Sequence, residues 1–394
     1  MIYMDNMAGT KPDPRVVAAV TPWITEKYGN PSAHFYPLGR ESYVAIEAAR
    51  ASVATMLNAP KAEQIIFTAN GTESNNVAIK GYLPTATKLG KKHIIISEIE
   101  HFSIQNIFAK LLKDGWEVTK LRVGDSGIVN PDDLKKAIRK DTALVSIAQA
   151  NPEIGVIQDS VEIGKICKEA GVIYHVDAVA SCGRIPVDVQ AMNADLVSVA
   201  AQNFYGVRGA AALYVSPEVK LKPLFDGGYQ ERGMRSGSEN VAAIVGMGVA
   251  ADLVTQEMAD YAPKMAELGR HFADGIGNMF DFLHFTGSMT KRLPGHVSFW
   301  IEFVEGESLL MWYALNNIYA ASGSACSSNI LAHDEEDLVA SHVLTAVGVP
   351  TDICAGSMMF SMSKYTTKED VDKVLEVTPG IVNKLTAMSP HYNR

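Results

Sequence analysis

Short apolar, β-rich runs recur through the first two thirds of the chain, at 65–67, 94–96, 143–147, 172–176, 196–200 and 211–215, and longer stretches of helical spacing alternate with them. That alternation constrains the fold more than any other feature. Strands fed by helices of ten or more residues imply an α/β protein with a mostly parallel sheet covered on both faces. Ahead of the first run, 12–28 opens on a Pro-Asp-Pro turn and continues with helical spacing. The segment GNPSAH then makes a loop, and 40–57 reads as a second amphipathic helix.

At 394 residues the chain is long enough for two domains. After about Leu253 the rhythm changes to a long helical stretch, a strand at 297–304, a helix opened by Gly306-Glu307-Ser308, another short strand and a C-terminal helix from about Lys368. This predicts a large domain over 12–253 and a smaller α+β domain built from 1–11 and 254–394.

A net charge of −9 argues against nucleic acid or an anionic membrane as a partner, because both select for a basic face. The four cysteines, Cys167, Cys182, Cys326 and Cys354, have neither CxxC spacing nor the density of a disulfide framework, as expected in a reducing compartment. The N-terminus MIYMDNMAGT lacks a basic region followed by an apolar core, and the longest uncharged apolar run, 241–251, is too short to span a bilayer. These features predict a cytoplasmic protein.

In an open α/β sheet, ligands sit where strands run out into loops, which directs attention to 172–209. Asp177 ends one strand there, as a solvated strand end or as a charge aimed at a ligand. TANGTESNN (68–76) follows a strand and opens a helix around Thr72, either as an ordinary cap or as an anion cup. His101 follows another strand, where a lone histidine is usually a satisfied polar residue. Cys326 lies among small residues, an arrangement that is more often inert than reactive. The run His333-Asp334-Glu335-Glu336-Asp337 reads as a solvated face, so no metal site is assigned.

Taken together, several segments resemble the NifS/IscS-type cysteine desulfurases, a class-V aminotransferase family with the fold type I architecture of pyridoxal phosphate (PLP) enzymes. They are FTANGTESNNVAIKG (67–81), Glu100-His101, the Asn151 loop NPEIG, HVDA at 175–178 with the later YGVRG turn, GMRSGS (233–238) and SGSAC (322–326). The resemblance runs from DNxA at 5–8 to SPxY at 389–392, and is closest in pattern to divergent archaeal IscS-like proteins. It implies a seven-stranded, mostly parallel sheet, and a small domain carrying the Cys326 loop. It also implies site roles: Asp177 opposite the pyridine nitrogen, His101 stacked on the ring, Thr72 in a phosphate cup and Asn151 facing the phenolic oxygen or the substrate. Ser238 would reach the cofactor phosphate of the partner subunit in a homodimer, and Cys326 would be the persulfide-forming nucleophile.

The chain departs from that pattern in one region. The Schiff-base lysine position is Asn203 and the histidine beside it is Gln202. A glutamine after the aspartate is Ala180, a phosphate-binding serine is Ala200, and the arginine that would clamp a substrate carboxylate is Met359. An amide cannot condense with an aldehyde, so any PLP is expected without a lysine aldimine. The implied function is sulfur transfer or iron–sulfur cluster assembly through Cys326, as a persulfide or as a ligand to a shared [2Fe-2S] cluster. Its partner would be an iron–sulfur scaffold or a sulfur-acceptor protein, docking with help from the inserted stretch 330–340. Three readings compete with it: an active desulfurase using another amine such as Lys11 or Lys364, a non-catalytic binding or regulatory pseudoenzyme, and an enzyme with different chemistry in a rebuilt pocket.

Overall fold

The computed structural model describes residues 1–323, 341–350, 357–389 and 392. A two-residue strand β1 (Ile2–Tyr3) leads to helices α1 (Pro14–Thr25) and α2 (Pro37–Met56). Both helices begin on proline, whose missing N–H is not needed in a first turn, and the Asp13 carboxylate caps α1 by accepting the Arg15 N–H at 2.9 Å. The chain then alternates: β2 (Ile65–Thr68), α3 (Gly71–Lys88), β3 (His93–Ser97), α4 (Phe102–Lys113), β4 (Glu117–Leu121), α5 (Pro131–Ala137), β5 (Thr142–Ser146), α6 (Ser160–Ala170), β6 (Ile173–Asp177), β7 (Leu196–Ala200) and β8 (Ala211–Val215).

These seven strands, β2 to β8, form one sheet in the order β2-β8-β7-β6-β5-β3-β4, with only β8 antiparallel to its neighbours. The mostly parallel α/β sheet predicted from the alternation is therefore present. Every residue of β3, β5 and β7 is buried, as strands covered by helices on both faces must be. The strand absent from the sequence reading is β4. It lies at the edge, with Glu117 and Lys120 exposed, and its polar alternation carries no apolar run to detect.

A long helix, α7 (Val241–Gly277), follows, then β9 (Leu283–Phe285), β10 (His296–Ile301), α8 (Gly306–Leu315), β11 (Ile318–Tyr319), α9 (His342–Ala346), β12 (Ser357–Ser361) and α10 (Lys368–Met388). Strands β12, β10 and β9 make a three-stranded antiparallel sheet, and β1 pairs with β11. Ala243, Ile244 and Met247 of α7 pack into the core of the large sheet. Phe272, Ala273 and Ile276 from its other end join a second core with Met4, Phe299 and Phe360. One continuous 37-residue helix thus crosses residue 253, where the change of rhythm had suggested a division. The same helix is long and apolar enough by composition to cross a membrane, but half of its most apolar window is buried within the protein, as in a core helix.

Strands β2, β3, β5, β6 and β7 run in the same direction, so their carboxyl ends share one edge of the sheet. The loops leaving that edge carry Thr72, His101, Asn151, Asp177 and Asn203.

Candidate functional site

At that edge lies a cavity of about 250 Å³, walled by the loops of this edge and, from the opposite side, by Asp5, Met7, Gly323 and Met359. Thr72, His101, Asp177 and Asn203 all line it, although they are far apart in sequence. Asp177 accepts from Asn75 Nδ2 at 2.8 Å and from the Val179 N–H at 3.0 Å, so its carboxylate is fixed at the end of β6. Asn75 Nδ2 also donates to Ser103 Oγ, which is 2.8 Å from His101 Nδ1. The histidine caps α4 in the same stroke, accepting the Ser103 N–H at 3.1 Å. Thr72 stands in the first turn of α3, next to Gly71. A Cβ on Gly71 would come 2.7 Å from a methyl of Val179, so a glycine is needed for the helix to start this close to the Asp177 loop.

Two expected site residues, Asn151 and Ser238, do not line this cavity. Asn151 is buried, but its Nδ2 donates to the Ile99 carbonyl at 2.7 Å and its Oδ1 accepts the N–H groups of Glu153 and Ile154 at 2.8 and 3.0 Å. Its side chain shapes the loop rather than facing the cavity, and its neighbours Ala150, Pro152 and Glu153 form the wall. Ser238 lies in a separate pocket with Glu231, Arg235 and Asn240. The loop that carries it is held by a buried ion pair, Arg50 to Glu231 at 2.6 Å, with Glu231 also accepting the Phe67 N–H at 2.8 Å. Arg235 of the same loop donates to Glu73 Oε1 at 2.9 Å. Cys326 and the inserted stretch 330–340 lie outside the described residues. Of the described residues flanking that stretch, Gly323 lines the cavity, while the Ser341 hydroxyl caps α9 by accepting the N–H groups of Val343 and Leu344.

The departures from the resembled pattern converge in space. Ala180, Gln202, Asn203 and Met359 all line the cavity, and Ala200 is buried at the end of β7. Asn203 is itself buried, with Nδ2 donating to the Met7 carbonyl at 3.0 Å. No lysine or arginine lines the cavity among the described residues. Lys364 is held elsewhere, by Asp13 at 2.7 Å and Glu257 at 3.2 Å, with its Nζ over the rings of Tyr205, Tyr261 and Tyr365. Lys11 sits over the Tyr365 ring at 5.7 Å.

Several carboxyl groups at or behind the wall were given no role in the sequence reading, although each lies inside a segment that had been singled out. Asp5 and Glu153 line the cavity, and burial pushes their carboxyls up to about 6 and about 7. Glu100, beside His101, is fully buried and pushed up to about 8 by desolvation, against hydrogen bonds from Ser97 and Ala148 N–H. A carboxyl raised in the folded state keeps its proton to higher pH than in the unfolded chain. Its contribution to stability is therefore present below the unfolded value of 4.5 and is lost as pH rises toward about 8. Glu100→Gln keeps an acceptor for Ala148 N–H and removes the ionisation. It is expected to leave stability at pH 5 nearly unchanged and to raise it at pH 8.5 by roughly 3–5 kcal/mol, measured by urea unfolding at both pH values. Equal effects at both pH values would contradict this account of Glu100.

Among the described residues no group of three or more His, Cys, Asp or Glu side chains is arranged to hold a metal ion. Comparison with known proteins follows the same lines as the geometry. The family model for class-V aminotransferases matches residues 2–374. A cysteine desulfurase IscS from Methanosarcina thermophila is 45% identical over 389 residues, covering 99% of this chain and 94% of that relative. A cysteine desulfurase IscS from Dictyoglomus turgidum is 43% identical over 390 residues, covering 99% and 96%. The solved structure of a NifS-like protein superposes with a TM-score of 0.89 at 32% identity, covering 97% of this chain and 99% of its own. With its cavity at the carboxyl edge of a mostly parallel sheet and relatives matched along almost its whole length, the chain belongs to the class-V aminotransferases, in the group of NifS/IscS-type cysteine desulfurases.

Proposed function

We propose that this protein handles sulfur for transfer or iron–sulfur cluster assembly through Cys326, and that it does so without turning over cysteine. Its relatives are named cysteine desulfurases, which supports sulfur transfer as the coarse function. The observation that carries the finer reading is the convergence of Ala180, Gln202, Asn203 and Met359 on one cavity that no lysine lines among the described residues.

The family implies PLP, which supplies an electron sink for charge developing at an amino-acid carbon. Asp177, His101 and Thr72 suit its ring and phosphate, and Ser238 of a second subunit in a homodimer would complete the phosphate site. The covalent anchor does not fit. Asn203 presents an amide, and Lys11 and Lys364 are engaged away from the cavity. The lack of a covalent anchor favours the sulfur-carrier reading over an active desulfurase using another amine.

Loading needs only a thiolate and a sulfane donor. The Cys326 thiolate attacks one sulfur of an inorganic polysulfide and a new S–S bond forms. The old S–S bond breaks, and the shortened polysulfide leaves with the electron pair, so no separate oxidant is consumed. The persulfide would then pass to a sulfur-acceptor or scaffold protein, or the same thiolate would serve as one ligand to a shared [2Fe-2S] cluster. The test is to treat the protein with polysulfide and compare it with Cys326→Ser. Sulfane sulfur retained by the wild type and lost in the variant is the expected result, whereas equal uptake by both would end this reading.

A further inference from the structure

We propose that the cavity binds a small organic cation, a primary ammonium on an apolar body without a carboxylate, with Glu153 as its main charge partner and Asp5 and Asn75 as further acceptors. Three polar atoms of the wall residues have no hydrogen-bond partner. Glu153 is 4% exposed and Asn75 is 1% exposed, and the atoms left without a hydrogen bond are Glu153 Oε1, Asn75 Oδ1 and Asp5 Oδ1. The orientation of the Asn75 amide is fixed, because its nitrogen donates to Asp177 and Ser103. All three unpartnered atoms are acceptors, and each belongs to a residue of the cavity wall. Buried acceptors of this kind call for a guest that donates, and an ammonium carries three N–H donors and no acceptor.

Charge points the same way. Asp5, Glu153 and Asp177 line the cavity, and no lysine or arginine among the described residues opposes them. Burial pushes the Asp5 and Glu153 carboxyls up, and a cation seated against them would favour their charged forms. A guest carboxylate would meet these acids without a cation to receive it, since Met359 occupies the wall where the family pattern has arginine. The remaining wall is largely apolar, with Met7, Ile99, Val179 and Met359, which suits a hydrocarbon or aromatic tail.

The inference rests on the reading that no lysine-bound cofactor fills the cavity, so the test begins with protein shown by its absorbance spectrum to be free of PLP. Phenethylammonium and L-phenylalanine differ only by the carboxylate, and neither carries a thiol that would react at Cys326. Titration calorimetry on the full chain is expected to show saturable binding of phenethylammonium, with L-phenylalanine at least tenfold weaker. Glu153→Gln is expected to weaken phenethylammonium at least tenfold, with far-ultraviolet circular dichroism unchanged, and Asp5→Asn provides a second variant should the first not fold. Cys326→Ser is expected to bind phenethylammonium like the wild type, so that the amine site stands or falls separately from sulfur loading. Equal binding of the two probes, no binding at millimolar concentration, or full affinity in folded Glu153→Gln and Asp5→Asn would each overturn the inference, even where polysulfide still loads Cys326.

Discussion

Supplied with PLP and L-cysteine, the wild-type protein is expected to release sulfide at least about 10²–10⁴-fold more slowly than a lysine-bearing relative, the factor that a positioned acid–base group ordinarily contributes. The position that would carry that group holds Asn203, whose buried amide donates to the Met7 carbonyl at 3.0 Å. Restoring the amine separates anchoring from catalysis. Asn203→Lys is expected to gain a PLP adduct that borohydride fixes at position 203, at a stability cost of about 0.5–1.5 kcal/mol for the lost hydrogen bond. The variant is still expected to turn over poorly, because Gln202, Ala180 and Met359 remain in the same wall and nothing there receives a substrate carboxylate. Full desulfurase activity from Asn203→Lys alone would show that the other departures are silent. Activity at the level of a relative from the wild type would show that Asn203 is bypassed.

The second large effect is selectivity among thiols. Cys167 and Cys182 are buried free cysteines, and desolvation pushes Cys167 up to about 12 and Cys182 higher still. At pH 8 a thiol titrating near 12 is about 10⁻⁴ ionised, against about 0.2 for an ordinary cysteine, so its exchange with a sulfane donor slows by roughly 10³-fold. Peptide mapping after brief exposure to polysulfide is therefore expected to find Cys167 and Cys182 unmodified while Cys326 is loaded. Modification of the two buried thiols at comparable rates, in protein that remains folded, would contradict both their burial and the special place given to Cys326. Cys354 lies outside the described residues and serves in this experiment as an internal comparison.

The sheet was legible because buried parallel strands must be continuous apolar runs, and β3, β5 and β7 are. The edge strand β4 was not, since an exposed edge alternates polar residues and leaves no such run. Asp177, Thr72 and His101 were legible as residues at strand ends and helix starts, positions that topology sends to one rim. The roles of Asn151 and Glu153 were not. They are neighbours in one loop, and only the folded loop decides that Asn151 turns its amide to the backbone while Glu153 is left at the wall with an unpartnered oxygen. Nor does any local pattern reveal that Lys364 is bound by Asp13 and Glu257, because those partners lie more than a hundred residues away.

Loading of Cys326 and cysteine chemistry in the cavity are separable in one paired measurement. The same preparation, supplied with PLP, is offered L-cysteine in one arm and inorganic polysulfide in the other, and the mass added at each cysteine is read by peptide mapping together with the sulfide released. The expected result is one added sulfur on Cys326 in the polysulfide arm, with neither that mass nor sulfide at enzymatic rates in the L-cysteine arm. Persulfide on Cys326 formed from L-cysteine, with alanine as the second product, would contradict it and make the protein a working desulfurase.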